Sequence, residues 1–552
     1  MGRRHRAALR TARRRPRRRR AGPRLGQPAS HLGARRRDRR IHHPPSHRAA
    51  ARGGPMSQPE RQAISLRTLV SDSVLFGVAG MADRLIGFLF LPLTASILAS
   101  AGFGVYSLYM TTSQVLVVVC SVGMQQTFFR YYTEFDDVER QQRVLQTAFT
   151  IINVTTLAWV PFALLASGPL AELVFGVAEP VLVPLLAVRT YAEAVGTLAD
   201  CRLQAEGRVK LFVWIRMAGA VLVRAVGLGL LIRYRTPVAL AAGEAVGVVV
   251  TTAWIWAYTL REARLRIDKE LTREMLHYGA GLVPGSLSAF LLVSANRYLL
   301  KGLAPNALVQ VGWYSVAERF SSIMTLFSTA FGMGWRRFAF QNIHVAEGPR
   351  LMARATTLYI LAFGYTAVGV ALASIEAIRW LMPAEFGPAI PIAPGLCLAA
   401  FLVGLAGPLR IGLVQGKRTI LLSWLTFVGA LVNIAVAAAL IPSAGVMGAT
   451  IATVLGQLCL AVMTLHYGQQ SYRIPFEYRR CALLLGWYGG AYLAAIAFEP
   501  LGVIAALAAK VLILTALPFA VYFFGPLDAA EREAVQGARR KAAALLQRVA
   551  GK

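Results

Sequence analysis

The sequence predicts an all-α integral membrane protein: about fourteen transmembrane helices in two parallel-repeat lobes of six, with two helices appended at the C-terminal end. Three observations lead there. Of 552 residues, 56% are hydrophobic and 16% charged, and the mean hydropathy is +0.51, far from the balance of a soluble domain of this length. Apolar runs of about 20 residues recur along the chain, each long enough to cross roughly 30 Å of hydrocarbon as a helix. A helix satisfies all its backbone groups internally, which hydrocarbon demands. Finally, one word is written twice. Phe103-Gly104-Val105-Tyr106-Ser107-Leu108 returns about 208 residues later as Val311-Gly312-Trp313-Tyr314-Ser315-Val316. Each copy opens an apolar segment that closes on Gly-Met, at Gly123-Met124 and Gly332-Met333, and a third echo sets Gln204–Arg208 against Val414–Arg418 at nearly the same offset. Such a long period marks a duplicated chain.

In chain order, the spans fall near 72–97, 105–129, 146–168, 179–201, 210–232, 238–260, 278–300, 309–332, 355–377, 388–409, 419–441, 445–466, 481–498 and 500–524. The repeat offset covers an even number of crossings, so both copies enter the membrane in the same direction and the halves are related by an axis along its normal. This gives lobes at 69–260 and 276–467, two further helices within 480–524, and a basic tail at 525–552. A central path between the lobes is the expected route of a substrate.

Residues 1–55 stand apart. They hold nineteen Arg and one Asp, and no Lys, Glu, Val, Phe, Tyr, Trp, Asn or Cys, so they account for +18 of the formal net charge of +32. Such a segment cannot bury a core and is expected to be disordered. It also lacks the apolar stretch of a signal peptide. A polybasic arm for nucleic acid or anionic lipid is one reading. A mis-assigned start, with translation opening at Met56-Ser57-Gln58-Pro59, is the preferred one, and no nucleic-acid partner is expected.

Basic residues in the short loops set the orientation. After every even-numbered span come clusters such as Arg140/Arg143, Arg261/Arg264/Arg266, Arg350/Arg354 and Arg479/Arg480, while the opposite loops hold only Arg233, Arg235, Lys301 and Arg379. By the positive-inside rule both termini are cytoplasmic.

Charges inside spans are the best pointers to function, since each costs about 2.5–3.5 kcal/mol at the bilayer centre even on the lenient insertion scale. Span one carries Asp83-Arg84, span seven ends with Asn296-Arg297, and span eight carries Glu318-Arg319. Span four holds Arg189 and Glu193 at i, i+4 spacing, read as a mutually satisfied structural pair. Spans five and six add Arg224 and Glu244. Consecutive residues on a helix point about 100° apart, so neither Asp83-Arg84 nor Glu318-Arg319 closes on itself along one face. At least one member of each must meet a partner or a cavity. Arginines in the opening helices of both lobes suit an anionic cargo, because a guanidinium grips phosphate through paired hydrogen bonds. Arg297, at a span end, is equally consistent with snorkelling to the interface. Pro92 and Pro284 are candidate hinges, in the first helix of each lobe.

The rest points away from metal or redox chemistry. Cys120, Cys201, Cys397, Cys459 and Cys481 show no paired spacing, and His277, His344 and His466 are isolated, so free thiols and no metal site or cofactor are expected. Asp136-Asp137 has no second acidic motif and reads as a solvated loop.

Taken together, these words resemble the polysaccharide-type flippases of the multidrug/oligosaccharidyl-lipid/polysaccharide exporter superfamily over 69–524. The resemblance rests on the run through Arg84, Ala95–Leu98 through Gly104-x-Tyr106, Leu203–Arg208, Tyr278-Gly279 through Pro284, and Asn296–Leu299 with Gly312-x-Tyr314-Ser315. A more distant similarity to lipid II flippases aligns Asp83–Phe88 and Ala317–Phe320 with motifs whose arginines line a cationic cavity, which carries over to Arg84 and Arg319. The resemblance implies a fourteen-helix, two-lobed, V-shaped, MATE-like transporter in a bacterial inner membrane, and no catalytic residues. It would move polyprenyl-diphosphate oligosaccharide outward, with a polymerase and glycosyltransferases as partners. Arg84, Arg319 and Arg297 would then bind the diphosphate. Asp83, Glu193, Glu244 and Glu318 are the candidates for proton or sodium coupling, or for counter-ions. The competing expectation is a cation- or proton-coupled multidrug antiporter of the same superfamily, against which the in-span arginines argue.

Overall fold

The computed structural model describes residues 86–134, 137–259, 263–343 and 345–525. The expected extension 1–55, the tail and most of the first span, with Asp83 and Arg84, lie outside them. Among the described residues every regular element is a helix, and eleven helices are long and apolar enough to cross a membrane. The first seven helices are α1 (Leu91–Cys120), α2 (Met124–Glu134), α3 (Val138–Ala158), α4 (Val160–Leu165), α5 (Ser167–Phe175), α6 (Leu182–Ala205) and α7 (Val209–Tyr234). There follow α8 (Pro237–Thr259), α9 (Lys269–Leu303), α10 (Ala307–Asn342), α11 (Gly348–Leu381), α12 (Ala393–Gln415), α13 (Thr419–Ser471), α14 (Tyr478–Ala497) and α15 (Val503–Phe524).

From span two onward the expected spans are recovered, with boundaries moved where local chemistry dictates. Span two begins earlier than the sequence suggested, because the break between it and the preceding helix takes a single residue, Ala99, at φ 56° and ψ 177° inside α1. It also ends earlier. Val122 and Gly123 both sit at positive φ, so the run expected to reach residue 129 turns at 121–123 and resumes as the separate helix α2. Asp137 accepts a hydrogen bond from the Glu139 amide at 3.2 Å, which makes it the N-cap of α3. Spans eleven and twelve appear as one long helix, α13, divided at Gly445. α10 is 36 residues long and fills the place of span eight.

The duplicated word explains how the halves meet. A Cβ on Gly104 would strike the carbonyl oxygen of Leu308, and one on Gly312 would strike that of Ser100. Ser100 and Leu308 are themselves one repeat apart, so the contact is reciprocal, as a local two-fold relation requires. One helical turn further on, the hydroxyls of Ser107 and Ser315 meet at 2.5 Å, 208 residues apart. Glycine and serine at this crossing let the backbones of α1 and α10 approach closely, which dispersion rewards in a membrane. The same device recurs at the far end of α1, where a Cβ on Gly279 of α9 would strike the Val122 carbonyl, and the Arg130 guanidinium lies 4.5 Å from the Tyr278 ring centre.

The last two helices are fastened to α11 by buried charge. Lys510, its side chain 3% exposed, pairs with Glu376 at 2.5 Å and with Glu499, while Arg379 pairs with Glu499 at 2.8 Å. Tyr488 seals the joint by packing on Gly364 and donating to the Leu361 carbonyl at 2.5 Å.

Candidate functional site

A cavity of about 650 Å³ opens between α1, α6, α7 and α8 on one side and α9 and α10 on the other. Its shape follows from helical spacing. On α6 the lining positions are Arg189, Glu193, Gly196 and Asp200, and on α7 Phe212, Ile215, Arg216, Gly219, Ala220, Val223 and Arg224, the last six as neighbouring pairs one turn apart. Steps of three and four residues keep each set on one face. α11, α12 and α13 contribute no lining residue, so the cavity is housed mainly by the helices of the first repeat, closed by α9 and α10.

Five arginines line this space, Arg189, Arg216, Arg224, Arg297 and Arg319, with Glu193, Asp200 and Glu318 among them. Behind the wall lies Glu244, 1% exposed. Its carboxylate accepts from the Tyr106 hydroxyl at 2.7 Å and from Arg189 at 3.3 Å, and pairs with Arg224. A carboxylate taken out of water is tolerated only when matched this fully. Arg189 also reaches Glu193, but at 3.7 Å. Its nearer partner is therefore Glu244 on another helix, which corrects the reading of Arg189 and Glu193 as a self-contained pair.

Glu318 and Arg319 part company as their spacing requires. Glu318 pairs with Arg297, whose Nε donates to the Ser315 hydroxyl at 3.3 Å. Arg297 is thus held inside the cavity, with 13% of its side chain exposed, instead of snorkelling outward. Arg319 turns the other way, its guanidinium carbon 5.7 Å from the Phe103 ring centre. Among the described residues no carboxylate lies within ion-pair distance of it. Arg224 and Arg319 come close to each other at Gly87, where a Cβ would touch Arg224 at 3.5 Å and Arg319 at 3.8 Å.

Of the residues singled out from the sequence, Arg297, Arg319, Glu318 and Glu193 line the one cavity and Glu244 backs it. Pro92 sits in the first turn of α1 and Pro284 inside α9, and neither lines it. Asp83 and Arg84 are outside the described residues. The sequence reading gave no place to Asp200 and Arg216, which form an ion pair across α6 and α7. The signal was there, in the three-and-four spacing of Arg189, Glu193, Gly196 and Asp200.

The family model for polysaccharide biosynthesis proteins matches residues 69–335, the stretch that supplies every lining residue of the cavity. Over this stretch the chain is similar to that family. The family segment thus takes in the first repeat and the two helices, α9 and α10, that close the site. Among solved structures, the chain is similar to the lipid II flippase MurJ in an inward closed conformation, with a TM-score of 0.66, 13% identity, and coverage of 81% of this chain and 99% of that one. It is also similar to MATE in complex with MaD3S, with a TM-score of 0.50, 16% identity, and coverage of 73% and 95%. The fold is therefore the one shared by MurJ and MATE, and the protein is a multi-pass membrane protein. No curated protein sequence matches the chain.

Proposed function

We propose that the protein is a flippase that carries polyprenyl-diphosphate-linked oligosaccharide from the cytoplasmic to the outer leaflet of a bacterial inner membrane. The observation that carries this reading is Arg319, which faces the cavity with no carboxylate in reach among the described residues, beside Arg224 and across from Arg297. With five arginines against three lining acids and Glu244, the cavity holds an excess of positive charge that suits a diphosphate. Guanidinium forks match phosphate oxygens in pairs, more strongly than a neutral donor would. The MurJ-like fold supports a lipid-linked cargo. The arginine excess disfavours a cavity for organic cations, as a multidrug antiporter would need.

In this mechanism Arg319 is the first contact, and Arg224 and Arg297 are lent to the substrate from Glu244 and Glu318. Arg84 joins them on the strength of its resemblance. The lobes 69–260 and 276–467 rock about the crossing of α1 and α10, with Pro92 and Pro284 as bending points, while both termini stay cytoplasmic. Glu193, Glu244, Glu318 and Asp83 are the carboxylates through which a proton or sodium gradient would couple. Replacing Arg319 tests the reading: Arg319→Ala, inserted at normal levels, should reduce surface polysaccharide at least about tenfold, the effect of one lost charge-assisted contact of about 1.4 kcal/mol. Arg319→Lys should recover only part of it. Export at the wild-type level by Arg319→Ala would sink the proposal.

A further inference from the structure

The cavity has two chemically different ends. Arg224, Arg297 and Arg319 gather at one. At the other, Asp200 and Arg216 face each other across α6 and α7, with Phe212 and Ile215 of α7 in the wall. Along α6, Arg189 and Asp200 are eleven residues apart, about 16 Å of helix, and along α7, Arg224 and Arg216 are eight apart, about 12 Å. The separation leaves length for a short saccharide arm.

Charge decides what the second end accepts. Asp200 neutralises Arg216 and would repel a phosphate, so this end is no extension of the arginine cluster. Asp200 is 4% exposed and its Oδ2 pairs with Arg216, yet its Oδ1 is buried with no donor among the described residues. A buried acceptor without a donor costs about 1–3 kcal/mol, and more when charged, and a ligand hydroxyl would relieve it. Gln114 is exposed toward the cavity and has no hydrogen-bond partner among the described residues, so it offers an amide that both donates and accepts. Gly196 and Gly219 let α6 and α7 pack closely on Thr252 and Thr251 of α8, which line the same cavity.

We infer that the Asp200–Arg216 end is a saccharide subsite, in which the Asp200 carboxylate accepts from sugar hydroxyls of the lipid-linked oligosaccharide. The inference rests on the flippase reading above and adds the element that selects the sugar. A site built to hydrogen-bond a hydroxyl discriminates far more steeply than an apolar one, because an ill-matched ligand leaves its polar groups unpaired.

The test separates the two ends. Asp200→Asn, which keeps the shape of the side chain, and Arg319→Ala are compared with the wild type for surface polysaccharide in the producing cell. The same purified full-length variants are titrated with polyprenyl diphosphate carrying no sugar. Asp200→Asn should lose export about tenfold or more while binding the sugar-free diphosphate as the wild type does. Arg319→Ala should lose that binding. The subsite is wrong if Asp200→Asn exports normally, or if it loses sugar-free diphosphate binding together with export, since the carboxylate would then act on the arginine end or on folding. Should Arg319→Ala bind the sugar-free diphosphate normally, the diphosphate assignment fails while the Asp200 result still stands. Asp200→Glu, retaining the acceptor, should restore part of the export, and failure to do so when Asn has abolished it also counts against the subsite.

Discussion

Removing the Glu244 carboxylate is the most informative single change to this protein. Glu244 holds Arg189 at 3.3 Å and Arg224 by an ion pair, and takes the Tyr106 hydroxyl at 2.7 Å, all with 1% of its surface exposed. Glu244→Gln keeps the size and an acceptor for Tyr106 but leaves Arg224 without that carboxylate and Arg189 with only Glu193, 3.7 Å away. Arg189 is 6% exposed, so water cannot readily replace the lost partner. Deleting one member of a buried pair costs about 3–5 kcal/mol, because the other is left uncompensated. The expected loss sits at the lower end of that range, as Glu193 still serves Arg189 and the cavity admits water to Arg224. Thermal unfolding of the detergent-solubilised protein, followed by loss of its monodisperse peak, measures it. A double-mutant cycle with Arg224→Met isolates the pair, since the second change should cost much less once the first is made. A Glu244→Gln variant as stable as the wild type, or two costs that simply add, would refute the assignment of Glu244 as the counter-ion of these arginines.

Two further outcomes follow from packing. Gly312→Leu should force α1 and α10 apart, because its Cβ would fall on the Ser100 carbonyl; the expected destabilisation is at least the 1–3 kcal/mol of about one overpacked site. Gly281→Leu, with nothing within 4 Å of its Cβ, is the matched control, and equal stability of the two variants would contradict the crossing. Lys510→Met should cost about 3 kcal/mol, the low end for a broken buried pair, since Arg379 still holds both Glu376 and Glu499. Faster hydrogen exchange confined to 478–524 would register it, and unchanged exchange there would show that the charge cluster does not fasten the last helices.

Much of this architecture was legible in the sequence because a membrane leaves few choices. Apolar length gave the spans, and the recurring Gly-x-Tyr-Ser word gave the duplication. Boundaries were less legible at span two: Ala99 breaks the chain within an otherwise continuous helix and leaves no polar stretch to read, whereas the break at Gly445 follows Pro442-Ser443 and falls where the spans were divided. The charges at Arg297, Glu318 and Arg319 stood out as costly intrusions in apolar runs. Their partners did not, because pairing across helices depends on how α9 faces α10, which one-dimensional spacing leaves open. Asp200 and Arg216 were obscured for a different reason. Each lies near a loop rich in ordinary cytoplasmic charge, and only the face shared with Arg189 and Glu193 sets Asp200 apart from it.

The two copies of the repeated word carry different chemistry at matching positions. Tyr106 and Tyr314 occupy the same place in the repeated word, and each donates or shares its hydroxyl across to a later helix of its own half. In the first half the partner is Glu244, tied to two arginines. In the second it is Thr453, at 2.9 Å, which also accepts from Asn296 at 2.7 Å, and Asn296 in turn reaches Asn433 at 3.1 Å. The second network is fully buried and neutral, and nothing in it offers a charge to a ligand. A duplicated ancestor with equivalent sites would present charge to both sides of its axis. Here the ionisable groups that line the cavity lie in the first half and in α9 and α10, while the Tyr314 network of the second half is built of amides and hydroxyls. Confinement of this kind favours a cargo with one charged group and an extended uncharged arm, since a single cationic end then suffices and the matching face of the other half need only move.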